Sequence, residues 1–142
     1  MIRDELAVVN RNVIANVPFL NEYTDKEKDI LGKFSSNLFT LNTFYTANKR
    51  IVGGSDIFED AESFLIKYWK TVAENVVQWV ELSKREISKV DLRENYIVTQ
   101  GVVIQAFGVI GLYFYKNPEI DITKFLCNLQ KIDWKRSSSQ WK

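Results

Sequence analysis

Apolar residues recur along this chain with helical spacing, and no stretch alternates in the manner of a half-buried strand. Ile2, Leu6, Val9, Val13 and Val17 fall three or four apart, which predicts a first helix that Pro18 ends by restricting the residue before it. Thr24 followed by Glu27 has the pattern of a capping box, so a short second helix is expected from there to Lys33. In the third, Leu38, Leu41, Tyr45 and Asn48 share a stripe with Phe39 and Phe44 beside it, and Gly53-Gly54 is a stop signal. The clearest amphipathic run carries Phe58, Ala61, Leu65, Tyr68, Val72, Val76 and Trp79 and predicts one long helix. After Pro118 a last helix is expected to cap at Asp121 and run through Phe125, Leu126 and Leu129 into a polar tail.

Between these lies "NYIVTQGVVIQAFGVIGLYFYK", residues 95–116, with no charge from Tyr96 through Tyr115. Gly101 and Gly108 nearly superimpose on a helical wheel and Gly111 lies close by, so the three form one stripe, flanked by Gln100 and Gln105. Length alone permits a membrane span. The two amides and Thr99 within the run, and the amphipathic helices around it, favour a core helix instead. Each glycine costs about 1 kcal/mol relative to alanine in a helix, which close approach of another helix would offset. Their spacing matches neither the dinucleotide fingerprint nor a phosphate-binding loop. The expected fold is all-α, a single compact domain over residues 1–142, with about six helices around this glycine-striped one.

Composition narrows the chemistry. The 142 residues are 46% hydrophobic and 13% aromatic, enough for one real core. Nineteen basic and 18 acidic residues nearly cancel, so any nucleic-acid contact must be local. Residues 116–142 are the basic end, with six Lys/Arg against three Asp/Glu. The chain has no histidine, the usual general base near neutral pH and the commonest metal ligand. The single cysteine, Cys127, excludes an internal disulfide and fits a reducing cytoplasm; its apolar neighbours predict a buried structural thiol. Asp56, Glu59, Asp60 and Glu62 read as a solvated helix start favoured by the helix dipole, without metal-loop spacing. The first residues lack the apolar run of a signal peptide. No catalytic residue, metal site, cofactor or membrane segment is expected.

Three blocks, in order, carry a family resemblance: "TDKEKDILGKFSSNLFTLNTFY", "VDLRENYIVTQGVVIQAFGVIG" and "IDWKRSSSQW". Together they resemble the C-terminal part of the DndB family of DNA sulfur modification proteins, over nearly the whole chain. Full-length members are expected to carry an Asp-Gly-Gln-His-Arg signature in a larger N-terminal portion, which a chain without histidine cannot contain. The resemblance therefore implies a C-terminal domain or fragment of a larger protein. It also implies a basic residue between the glycines at Gly108 and Gly111, where this chain has Val109, so any role of that charge does not carry over. What it implies functionally is a regulator that binds promoter DNA of the phosphorothioation cluster and restrains its expression, rather than the enzyme that installs sulfur; the missing histidine, nucleophile–base pair and phosphate loop leave no enzyme expected, and the cysteine usage sets it in the cytoplasm.

Two readings of the C-terminal tail stay open. Lys131, Lys135, Arg136 and Lys142 interleave with Trp134, Trp141 and Ser137 to Ser139, a mixture suited to phosphate contacts with aromatic packing. Four such contacts on duplex DNA would give a salt slope of about −3.6. Alternatively both tryptophans dock the tail onto the helices while the lysines stay solvated. In the second case the domain serves protein–protein interaction or self-association, and double-stranded DNA is engaged through the missing N-terminal portion.

Overall fold

The computed structural model describes residues 3–27, 31, 37–56 and 58–141. Within them the fold is helical apart from one pair of two-residue strands. α1 (Arg3–Asn16) buries Leu6, Val9 and Val13 as the spacing predicts. Pro18 does more than end it. Val17 is extended, as a residue before proline should be, and Pro18 opens α2 (Pro18–Tyr23), where its missing N–H costs nothing. The helix expected from Thr24 does not start there. Thr24 and Asp25 form β1, parallel to β2 (Phe39–Thr40), and Thr24 Oγ1 is buried without a partner, so it caps nothing. Most of the remainder of that expected helix lies outside the described residues.

α3 (Leu41–Val52) is capped by Thr40, whose hydroxyl accepts from the Thr43 amide at 3.3 Å. Its buried face is Phe44, Ala47, Asn48 and Ile51, a different phase from the expected stripe; Leu38 and Phe39 reach the core from the strand segment instead. The long fourth run divides into α4 (Phe58–Asn75) and α5 (Val77–Ser83) at extended Val76, yet Val76 and Trp79 both remain buried. α6 spans Lys89–Asn95, α7 Gly101–Lys116 and α8 Ile122–Leu126, the last capped by Asp121 as predicted. A 3-10 turn, Cys127–Lys131, follows. Ile122, Leu126 and Leu129 point inward, which turns Cys127 outward: the thiol is exposed, not buried. Asp56, Glu59 and Asp60 face solvent, and no cluster of candidate metal ligands exists among the described residues. No described helix is long and apolar enough to cross a membrane.

α4 is the buried strut, packed by α1 on one side and by α8 and the 3-10 turn on another. Its Trp69 sits edge-on to Phe44 and donates its indole N–H to Asn48 Oδ1 at 2.7 Å. Asn48 passes the chain on to Asn10 Oδ1 at 2.8 Å, and Asn10 to the Leu41 carbonyl at 3.1 Å. This buried thread ties α1, α3 and α4 together with its amide donors satisfied.

The α3–α7 pair is the most extensive helix contact. A Cβ at Gly108 would lie 3.3 Å from the Ala47 backbone, and one at Gly111 only 2.6 Å from Ile51 Cδ1 and 2.9 Å from the Tyr68 ring. These two glycines therefore serve the expected close approach. Gly101, at the exposed first turn, has nothing within 4 Å of its would-be Cβ and does not share that role. Nor is α7 covered all round: Val102, Val109 and Tyr113 are 71%, 54% and 55% exposed, because helices pack on one of its sides only.

Tyr68 donates its hydroxyl to the Phe107 carbonyl at 2.5 Å, and burial pushes its phenol far above the ordinary tyrosine pKa. The unfolded chain releases that proton above about pH 10, while the folded chain keeps it. The Tyr68 contribution is thus fully present below about pH 10 and declines above it by about 1.4 kcal/mol per pH unit. Urea midpoints followed from about pH 9 to about pH 11.5 are expected to fall with this extra slope, and Tyr68→Phe to flatten it. Parallel slopes in the two proteins would contradict the assignment.

Candidate binding surface of the C-terminal segment

The tail is not free. Beyond the 3-10 turn it runs antiparallel to residues 95–97: the Ile97 amide donates to the Trp134 carbonyl at 3.0 Å, Tyr96 bridges Lys135, and the Arg136 amide donates to the Asn95 carbonyl at 2.8 Å. The Arg136 guanidinium folds back onto the end of α6. Nε donates to the Glu94 carbonyl at 3.0 Å, and Nη2 to the carbonyls of Arg93 at 2.8 Å and Tyr96 at 3.5 Å. A cation on the orphan carbonyls of a helix C-terminus satisfies acceptors that the helix cannot and complements its dipole.

Trp134 is 5% exposed and meets Phe107 of α7 edge-on at 5.9 Å. Trp141 stacks on it at 5.8 Å with the rings 9° apart, and donates its indole N–H to the Asp133 carbonyl at 2.8 Å; it stays 42% exposed. Both tryptophans therefore dock the tail. Lys131 and Lys135 are exposed, with the Lys135 amide bound to Asp133 Oδ1 at 3.1 Å, and Lys142 lies outside the described residues. Of the four expected cations, the segment thus presents two lysines to solvent and uses one arginine to hold a helix.

Two concavities flank Arg136. One is a polar cleft of about 530 Å³ shared by Asp91, Glu94, Tyr96, Lys135 and Ser137. Burial, followed by the charges of Asp91, Glu81 and Asp133, raises the Tyr96 pKa. The cleft sets two carboxylates, Asp91 and Glu94, beside two cations, Lys135 and Arg136. The other is an apolar groove, also about 530 Å³, between α7 and the tail, with Phe107, Trp134 and Trp141 among its walls. Sequence reasoning missed this groove, since its walls come from segments about thirty residues apart; the one available signal was the surplus of tryptophan near an uncharged helix.

A family model described as DndB, DNA-sulfur modification-associated, matches residues 2–142. The chain belongs to the DndB family. No curated protein and no solved structure matches it. For this DndB-family chain the match spans the helical bundle and the docked tail alike, including the tail block "IDWKRSSSQW".

Proposed function

We propose that this DndB-family domain works by binding and not by catalysis, contributing to promoter DNA binding and transcriptional control of the DNA sulfur modification genes in the cytoplasm. The observation that carries this reading is the pair of exposed lysines, Lys131 at the end of the 3-10 turn and Lys135 on the tail that is hydrogen-bonded and tryptophan-docked on the bundle. Cations on a fixed frame reach phosphates at little ordering cost, and phosphate contacts set position without reading bases. Trp134 is buried and covers one face of Trp141, so the tryptophans support the frame.

The test is fluorescence anisotropy of a labelled promoter duplex against salt. Two phosphate contacts contribute about −1.8 to the slope of log affinity against log salt. Lys131→Ala with Lys135→Ala is expected to reduce the slope by that amount while circular dichroism stays unchanged. Arg136 is unsuited to this test because its loss uncaps α6. No binding at low salt by the folded chain would sink the reading. A second reading, an interaction or oligomerisation domain, is favoured by the uncharged, exposed Val102, Val109 and Tyr113 of α7. Concentration-dependent sedimentation would then accompany the missing DNA binding.

A further inference from the structure

We infer that the groove between α7 and the C-terminal segment is a binding site for a small amphiphilic anion, an apolar body carrying one acid group. Its volume of about 530 Å³ falls within the range of ligand pockets, roughly 300–1,000 Å³. Phe107 and Trp134 are its most buried aromatic walls, with Ile110 partly buried and Val102 and Trp141 more exposed. Arg136 is the single charged residue among its lining, and no carboxylate lines it. That charge pattern is complementary to one negative group on an otherwise apolar molecule.

Arg136 is prepared for this role. Its Nε and Nη2 are bound to backbone carbonyls of residues 93, 94 and 96, which fix the guanidinium without neutralising it. Nη1 keeps its two N–H groups without a partner among the described residues. An acid group meeting a fixed donor pair gains charge-assisted hydrogen bonds with little further ordering of the side chain. A polynucleotide does not fit the same pattern, because the walls are mostly apolar and offer one cation where a phosphodiester chain presents a row of charges.

Anilinonaphthalene sulfonate, an aromatic acid of this class, is the probe, added to the intact chain and followed by its fluorescence and by energy transfer from tryptophan. One saturable site per chain is expected, with decanoate displacing the probe at a concentration at least about tenfold lower than decanol does, since hydrogen bonds to a charged group are the stronger. Ala106→Phe, at an exposed position on the groove wall, is expected to weaken probe binding at least about tenfold by filling the space. Trp141→Ala removes a wall at a half-exposed position and is expected to weaken it too, which keeps the test decisive should Ala106→Phe fail to fold. Probe binding that never saturates, or that both folded variants retain unchanged, overturns the site. Decanol competing as well as decanoate overturns the anion assignment.

Discussion

Trp69→Ala is expected to destabilise the domain by about 5 kcal/mol, close to the whole stability of many domains of this size. Truncating a fully buried tryptophan to alanine costs about 3–5 kcal/mol through lost burial and the cavity left behind. Here the ring is in contact with Phe44, Tyr68 and Phe107, rings contributed by three different helices, so no single side chain can move to fill the space. The change also removes the donor that satisfies Asn48 Oδ1, and a buried acceptor left unpaired costs a further amount of about 1–3 kcal/mol that overlaps the first. Urea unfolding monitored by circular dichroism measures the loss. Trp69→Phe retains most of the ring volume and should cost about 2 kcal/mol, mainly the orphaned acceptor. A shift below about 2 kcal/mol for the alanine variant would mean that α4 is not the strut described.

Gly111→Val is expected to cost about 3 kcal/mol. Even the first carbon of the new side chain would stand 2.6 Å from Ile51 Cδ1 and 2.9 Å from the Tyr68 ring. Ile51 has a flexible end that can turn aside, but Tyr68 is held by its bond to the Phe107 carbonyl, so α7 must back away from α3. Gly101→Ala is the control in the same helix, where open space surrounds the new methyl and a neutral or slightly stabilising result follows. Thermal unfolding of the two variants should separate them. Equal effects would show that helix propensity, not the approach of α3, governs these positions.

Gly108 and Gly111 mark where sequence reasoning was sound. Smooth residues in an apolar run implied a close helix crossing, and Ala47 and Ile51 of α3 supply it. The α4 stripe was legible because its period is local, as was the cap at Asp121. The break at Val76 was hidden since Val76 and Trp79 keep the same buried face on either side of it. Thr24 misled because a capping-box pattern is a local preference, and pairing with Phe39 fifteen positions away decides the conformation. Cys127 was misplaced by reading its neighbours' hydrophobicity in place of their phase; Leu126 and Leu129 point in, and a residue between them on a helix points out. Arg136 shows the limit most plainly. A basic residue in a basic tail suggests phosphate, and only the fold brings the carbonyls of residues 93, 94 and 96 to its guanidinium.

Between Ile132 and Trp141, Trp134 is the one buried side chain. The segment can therefore detach at a cost set by that ring, the short backbone bridge and Arg136, well below the cost of melting the bundle, and local openings of this kind are ordinary in native proteins. When it detaches, α6 loses its cap and the apolar groove loses the walls that Trp134 and Trp141 provide. Ordering of residues 132–141 and creation of the groove are thus a single event. A molecule held there would act as a latch on the tail, slowing amide exchange at Ile97 and Arg136 and keeping the exposed Lys135 in one arrangement.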